Sequence, residues 1–361
     1  MGFKCGIVGL PNVGKSTLFN ALTESAIAAE NFPFCTIEPN IGIVNVPDDR
    51  LDRINKISQS ERLVYASTTF VDIAGLVKGA SHGEGLGNAF LANIREVNAI
   101  AHVVRCFENE NITHVNGKIN PLDDLEVILT ELALSDIQTL NNKEEKNKKL
   151  IKSNDELIKK EVQIIERVIE EISNTNQINL SLYSDEDNEI ISTFNLLTSK
   201  PFFVVGNISE DENLNHQTEI HQWCDDNSIQ FIPVVVKQEY EIATLDQEER
   251  KEYLNLLGLS EPALNSIIRA GFEILGLQTY FTSGPKESRA WTIKKGSLAP
   301  QAAGVIHTDF EKGFIKAEVV SYADFVEYSG NHGARQEGAL RLEGKDYIVK
   351  DGDVILFKFN V

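Results

Sequence analysis

Short apolar runs alternate with helical stretches along the first two thirds of the chain. Five of these runs are continuous rather than alternating, at residues 3–10, 65–76, 98–107, 200–207 and 229–236. Continuous apolar strands separated by helices are typical of a parallel sheet that is covered on both faces. The pattern therefore predicts an α/β fold built on a doubly wound, mostly parallel sheet.

A different pattern interrupts this alternation between the third and fourth strands. Leucines recur three and four residues apart from Leu122 to Leu132, and isoleucines recur every seven residues from Ile151 to Ile172. A polar stretch at 141–149 separates the two series, so we expect an antiparallel helical hairpin with a coiled-coil seam. Its charged outer faces are either simply solvated or form an arm that docks a partner.

The segment 275–304 is rich in Gly, Ser and Pro and predicts a boundary before the last part of the chain. Short mixed apolar runs follow it, which predicts a small α+β domain, a five-stranded β-grasp. Four segments result. The α/β domain spans 1–121 and 200–278, a helical coiled-coil insertion spans 122–199, and the β-grasp domain spans 279–361.

Composition limits the cellular location and the partners that we expect for this chain. The chain contains 42% hydrophobic residues and no apolar run long enough to span a bilayer, so we expect no membrane association. Four cysteines without metal-ligand spacing predict reduced thiols and a cytoplasmic protein. The net charge of −20 repels nucleic acid and argues against binding free DNA. Basic and acidic residues balance from 281 to 361, so any contact with RNA is expected there.

Residues 9–16 fit G-x-x-x-x-G-K-[ST], between a predicted strand and a predicted helix. In such a loop, backbone N–H groups face phosphate oxygens at the start of a helix. Lys15 would reach the β- and γ-phosphates and Ser16 would ligate Mg²⁺. The phosphate-binding set predicted here is Asn12, Val13, Gly14, Lys15, Ser16 and Thr17. The alternative is a glycine-rich turn that binds nothing.

Further nucleotide contacts are predicted after the second run. Asp72 ends that strand and could hold Mg²⁺ through water, while the N–H of Gly75 could meet the γ-phosphate. Thr36, in the preceding loop, could complete the metal shell, although it could also be an ordinary turn threonine. The stretch 79–87 carries four glycines and is expected to move as a switch loop.

Taken together, five stretches resemble the YchF-type Obg-like ATPases of the P-loop GTPase class; they lie at 9–23, 31–40, 72–91, 111–121 and 206–210. The resemblance spans the whole chain and implies a TGS-like C-terminal domain. It also implies Mg²⁺-dependent hydrolysis of ATP to ADP as a slow switch, with the ribosome, through its large subunit, as partner.

The base-reading loop is predicted at Asn207, Ile208 and Glu210. GTPases read guanine with Asn-Lys-x-Asp, and here Ile208 and Glu210 replace the Lys and the Asp. Because Glu is one methylene longer, its carboxylate would miss the guanine edge, at a cost of a few kcal/mol. Adenine would instead use the amide of Asn207 and nearby backbone, so we expect ATP to be preferred over GTP.

The sequence offers several candidates for the group that activates the attacking water. Leu76 stands where many relatives place a Gln that orients the attacking water. His114 is the catalytic candidate, since a neutral imidazole is a competent base near pH 7, and His82 is a weaker one. A monovalent cation such as K⁺, or a partner, could supply the stabilisation instead. If hydrolysis is incidental, the chain would be a nucleotide-gated adaptor; tighter binding of GTP than ATP would indicate a GTPase.

Overall fold

The computed structural model describes residues 3–29, 40–74, 86–109, 118–150, 156–211 and 215–360. Their twelve strands are β1 Lys4–Val8, β2 Ile41–Asn45, β3 Arg62–Val64, β4 Ser67–Asp72, β5 Ala99–Arg105, β6 Phe202–Asn207, β7 Phe231–Val234, β8 Leu277–Ser283, β9 Glu287–Lys294, β10 Phe314–Val320, β11 Arg341–Glu343 and β12 Val354–Phe359.

The α-helices of the described residues are α1 Lys15–Ala29, α2 Asp49–Ser58, α3 Leu86–Glu96, α4 Pro121–Leu150, α5 Glu156–Thr175, α6 Asp185–Ser192, α7 Asn215–Asp226, α8 Val236–Thr244, α9 Gln247–Leu256, α10 Leu264–Ile274, α11 Ala299–Ile306, α12 Thr308–Lys312, α13 Tyr322–Glu327 and α14 Asn331–Gln336. The chain forms two compact units, residues 1–42 with 69–264 and residues 43–68 with 265–361. Among the residues described, no helix combines the length and the apolar character needed to cross a bilayer.

One sheet has six strands in the order β2-β4-β1-β5-β6-β7, and its strands β1, β5, β6 and β7 lie wholly in the first unit. The five neighbouring strands from β4 to β7 run parallel. These are the five strands that the apolar runs predict, so the predicted α/β fold is confirmed. All seven residues of β5 are buried, as expected for a central strand covered on both faces.

The sheet also contains β2, which no apolar run predicts. Its residues alternate between buried and exposed positions, and it lies at the edge of the sheet. A strand of five residues with one exposed face offers too little hydrophobic signal to be recognised without its partner.

The parallel arrangement brings several chain segments to one edge of the sheet. Carboxyl ends of parallel strands lie at the same edge, where ligands of α/β proteins bind. The loop after β1, Asp72 at the end of β4, Arg105 at the end of β5 and Asn207 at the end of β6 therefore meet there. This edge is the part of the fold that positions the candidate site.

The predicted helical hairpin is present as α4 and α5, but its break is not at 141–149. Helix α4 continues through that stretch to Leu150, so the predicted position of the break is wrong. Its Lys, Glu and Asn residues are compatible with a helix, and Lys148 pairs with Glu144 one turn earlier at 2.7 Å. On α5, Ile165 and Ile172 are fully buried, as the seven-residue spacing predicts.

The second unit contains a six-stranded mixed sheet in the order β11-β10-β12-β8-β9-β3. Five of these strands come from residues 277–360, which confirms the predicted C-terminal α+β domain. The sixth, β3, comes from residues 62–64 and pairs in parallel with β9. Helix α11 covers a core of buried residues that includes Tyr280 and Phe357. The four-segment division of the chain stays a prediction.

Candidate nucleotide site

The loop between β1 and α1 has the curled backbone that a phosphate cradle requires. Asn12 and Gly14 have φ angles of 64° and 103°, in the left-handed region. A Cβ on Gly9 would collide with the carbonyl of Val103, and one on Gly14 would collide with the side-chain amide of Asn207. Both positions therefore require glycine, because backbone and neighbouring groups approach too closely for a side chain.

Lys15 lies at the first turn of α1 and is almost fully buried. Its ammonium group donates a hydrogen bond to the carbonyl of Leu10 at 2.7 Å, which folds the side chain over the loop. Burial lowers the pKa of Lys15, and the nearby Asp72 carboxylate partly opposes that shift. The charge of Lys15 thus lies over the loop, where phosphate oxygens would meet it.

Ser16 and Asp72 come together at the edge of the sheet. The Ser16 hydroxyl donates to Oδ2 of Asp72 at 3.0 Å. The other carboxylate oxygen of Asp72, Oδ1, is buried, and no group of the described residues donates a hydrogen bond to it. A buried carboxylate oxygen without a donor suits a hydrated hard cation, and hydroxyl and carboxylate oxygens are the ligand types that Mg²⁺ uses. The residues present therefore fit Mg²⁺.

Asn207 joins the base-reading loop to the phosphate loop. Its side-chain N–H₂ donates to the carbonyl of Val13 at 2.9 Å, and its Oδ1 accepts the N–H of Val236 at 3.4 Å. These two bonds use one N–H and one lone pair of the side-chain amide.

The other two predicted base-reading residues, Ile208 and Glu210, come shortly after Asn207 in the chain. Ile208 is partly buried and donates its backbone N–H to the carbonyl of Val234 at 3.0 Å. Glu210 is exposed at the open side of the loop. Asn12, Val13 and Thr17 lie in or next to the curled loop. The predicted phosphate-loop residues and the predicted base-reading residues therefore lie at the same edge of the parallel sheet.

Several predicted residues lie outside the residues that the structure describes. These are Thr36, Gly75, Leu76, His82 and the catalytic candidate His114. Their predicted roles therefore stay predictions. Among the described residues, no group of three or more His, Cys, Asp or Glu side chains forms a separate metal-binding cluster.

Two side chains at this edge were not singled out from the sequence. Arg105 is buried and donates to backbone carbonyls of the turn that follows β5. His102, three residues earlier, is fully buried beside Phe202, and neither of its ring nitrogens has a hydrogen-bond partner among the residues that the structure describes. The sequence signal for Arg105 was a charged residue at the end of a mostly apolar strand. Such a residue indicates a special role only once the structure shows that it is buried.

These features define a P-loop nucleotide-binding protein of the GTPase class. They are a strand followed by a curled loop with Lys15 and Ser16, an aspartate on the neighbouring strand, and an asparagine that bonds Val13 of the loop. Family models agree with this class. The model described as "50S ribosome-binding GTPase" matches residues 4–142, and YchF-GTPase_C, described as "Protein of unknown function (DUF933)", matches residues 277–360.

Whole proteins match along their full length. The "Ribosome-binding ATPase YchF" of Escherichia coli O157:H7 is 54% identical over 363 residues, and that of Bacillus subtilis (strain 168) is 47% identical over 366, each covering 100% of both chains. A solved structure, described as "Structure of the Schizosaccharomyces pombe YchF GTPase", has a TM-score of 0.88 and 39% identity, covering 99% of this chain and 98% of that one. This chain belongs to the YchF family.

Proposed function

We propose that this protein is a Mg²⁺-dependent ATPase that works as a slow nucleotide switch together with the ribosome. The observation that carries the proposal is the juxtaposition of Lys15, Ser16 and Asp72 below a curled amide loop, where the buried Oδ1 of Asp72 lacks a donor within the part of the chain that the structure describes. The relatives named ribosome-binding ATPases match over the entire chain, which supports the same activity and partner here.

The phosphate end of the site follows from the side chains present. Backbone amides from Asn12 to Thr17 would bind phosphate oxygens at the N-terminus of α1. The ammonium of Lys15, held by Leu10, would stabilise the charge that develops between the β- and γ-phosphates. Ser16 would hold Mg²⁺ directly and Asp72 would hold it through water, with Thr36 as a further ligand. The metal, when bound, neutralises phosphate charge.

The base end favours ATP over GTP. Guanine offers N1–H and N2–H₂ donors that require a carboxylate at a fixed distance, and Glu210 stands where related domains have Asp. Within the described part of the chain, the bonds of Asn207 to Val13 and Val236 use one amide N–H and one lone pair, and the second N–H and lone pair would suit the acceptor and donor edges of adenine. Gly75 and Ile208 complete the proposed ATP contacts through their backbone and, for Ile208, its apolar surface.

Hydrolysis is proposed to be slow because Leu76 cannot orient water. His114 is the proposed base, and K⁺ the proposed auxiliary cation if no side chain activates the water. We further propose a cytoplasmic protein that contacts the large ribosomal subunit, and a chain organised as the four segments predicted from its sequence. A change of the ATPase rate when KCl replaces NaCl would support the K⁺ role, and equal rates would reject it.

A nucleotide-gated adaptor is the second candidate, and Leu76 favours it because the water-orienting glutamine is missing. The two functions differ in what ribosome association requires. For the adaptor, Lys15→Ala abolishes co-sedimentation with ribosomes, whereas a variant that binds ATP without hydrolysing it retains full cellular function. For the ATPase, that second variant also fails in the cell.

Calorimetric titration with ADP and GDP, side by side, tests the proposed base preference. The native chain should bind ADP more tightly, and Ile208→Lys combined with Glu210→Asp should move the preference toward GDP by at least tenfold. Glu219→Asp, on the exposed face of α7, is the matched control and should change nothing. An unchanged ratio in the double variant would reject the assignment of Asn207, Ile208 and Glu210 to base reading.

A further inference from the structure

Arg105 is the largest of the completely buried side chains among the described residues, with 1% of its surface exposed. It ends β5, a strand whose other residues are apolar except His102. An arginine is almost never fully buried unless its charge is compensated, because removing a guanidinium from water is costly. Its position therefore requires a specific reason.

The guanidinium binds the turn that follows its own strand. Nε donates to the carbonyl of Phe107 at 3.0 Å and Nη2 donates to the carbonyl of Asn109 at 3.2 Å. The same group lies over the Phe107 ring, 4.7 Å from its centroid. Two bonds and one ring contact thus fix the turn Cys106–Asn109 to the end of β5. Burial lowers the pKa of Arg105, and the carboxylate of Asp124, a buried residue in the first turn of α4, partly opposes that shift.

This turn is bonded directly to the base-reading residue. Arg105 is the register partner of Asn207 in the pairing of β5 with β6. The N–H of Cys106 donates to the backbone carbonyl of Asn207 at 2.8 Å. Asn207 in turn reaches Val13 of the phosphate loop through its side chain. A continuous set of contacts therefore runs from Arg105 through the Cys106 N–H and Asn207 to the phosphate loop.

We propose that Arg105 is a positioning residue for base recognition, which holds the Cys106–Asn109 turn against Asn207 and thereby sets the discrimination between adenine and guanine nucleotides. The proposal rests on the assignment of base reading to Asn207 and its loop. A guanidinium suits this role because it stays charged at every accessible pH and presents several donors in a fixed plane. Small displacements of a recognition group are enough to change affinity strongly.

The test compares Arg105→Met and Arg105→Lys with Arg250→Met. Arg250 is the matched control because it also donates to backbone carbonyls of the same unit, those of Ile242, Ala243 and Leu245. Calorimetry measures the affinities for ADP and GDP, and thermal unfolding measures stability. We expect Arg105→Met to lower ADP affinity at least tenfold and to shrink the ADP-to-GDP ratio. Compared with Arg105→Met, Arg105→Lys should keep more of the ADP affinity and more of the ADP-to-GDP ratio. Arg250→Met should change stability alone.

A purely structural role for Arg105 predicts a different result. The melting temperature would then fall while the affinities for the two nucleotides stay unchanged or fall by the same factor, which would overturn the proposal. The ratio measured for the native chain tests the proposed base preference separately, so the two failures are distinguishable.

Hydrogen exchange on the native chain provides a measurement that does not depend on the variants folding. If the turn is part of base recognition, saturating ADP slows exchange of the amides of residues 107–109 beyond the effect of inorganic pyrophosphate. Pyrophosphate is the control because it engages the phosphate loop without a base. Equal exchange with ADP and pyrophosphate would contradict a role of this turn in base recognition.

Discussion

Gly14 and Gly338 both have a positive φ, of 103° and 74°, but only Gly14 faces a neighbouring side chain. In Gly14→Ala the new methyl would meet the amide of Asn207, which must move away from Val13. We expect nucleotide affinity to fall at least tenfold, together with a stability loss of about 1 kcal/mol from backbone strain. Calorimetric titration with ADP and urea unfolding measure the two effects.

Gly338→Ala is the control that separates the effect of backbone strain from the effect of a collision with Asn207. No atom of the described residues lies within 4 Å of the position that the new methyl group would take, so this variant should lose similar stability and keep full ADP affinity. A matching loss of affinity in both variants would show that the collision with Asn207 is unimportant.

His102 should make the fold sensitive to acid. Burial lowers its pKa from 6.5 to about 3 in the folded chain. Between these values the unfolded chain binds a proton that the folded chain does not, so stability falls as the pH falls through this range. From pH 7 to pH 5 this one group should cost about 2 kcal/mol, at about 1.4 kcal/mol per pKa unit.

Urea unfolding of His102→Leu at both pH values measures that contribution. The variant should gain about 2 kcal/mol relative to the native chain between pH 7 and pH 5. Exposed His332→Gln is the control and should show no relative change. A constant difference between native and His102→Leu would mean that His102 is protonated in the folded state.

At the scale of elements, the length of α4 shows where periodicity stops being informative. Residues 141–149 lack the leucine spacing, yet they continue the helix because they contain helix-compatible residues and ion pairs such as Lys143–Glu161 at 2.6 Å. Polarity there reflects an exposed helix surface rather than a break. Strand β3 was missed for a related reason, since its three residues form a strand only by pairing with β9.

Asp136 connects α4 to the segment that leads into β6. Its buried carboxylate accepts the N–H of Leu197 at 3.1 Å and the N–H and hydroxyl of Thr198 at 2.8 Å each. Asp136→Asn places an N–H₂ donor against these donors, so we expect a loss of about 1–3 kcal/mol in the free energy of unfolding. Chemical denaturation measures it.

Ser184→Ala provides the comparison for Asp136→Asn. Ser184 caps α6 on the surface through the N–H of Asp187, and removing it should cost about 1 kcal/mol. A smaller loss for Asp136→Asn than for Ser184→Ala would show that the carboxylate contributes little to anchoring α4.

At the scale of the whole molecule, charge and core are distributed unevenly. The net charge of −20 lies entirely before residue 281, because basic and acidic residues balance after it. Each compact unit has its own buried apolar cluster, around β5, β6 and α4 in the first and around β8, β10 and β12 in the second. The nucleotide site belongs to the first unit.

Nucleotide binding should therefore stabilise the first unit specifically. At MgADP concentrations 100 times its dissociation constant, we expect about 2.7 kcal/mol of added protection in the first unit. Native-state hydrogen exchange reads this out from amides of β5 and β6, with those of β10 and β12 as the internal control. Equal added protection in both sets would mean that the two units open as one.

The sequence by itself determined the parallel sheet and the curled loop between β1 and α1, because hydrophobic period and loop chemistry are local properties of the chain. Tertiary structure alone decided that Asn207 bonds Val13, that Arg105 is buried against the turn after β5, and that β3 joins the second sheet. These features depend on contacts between residues far apart in the chain, and no local pattern specifies which distant backbone group will satisfy a buried donor.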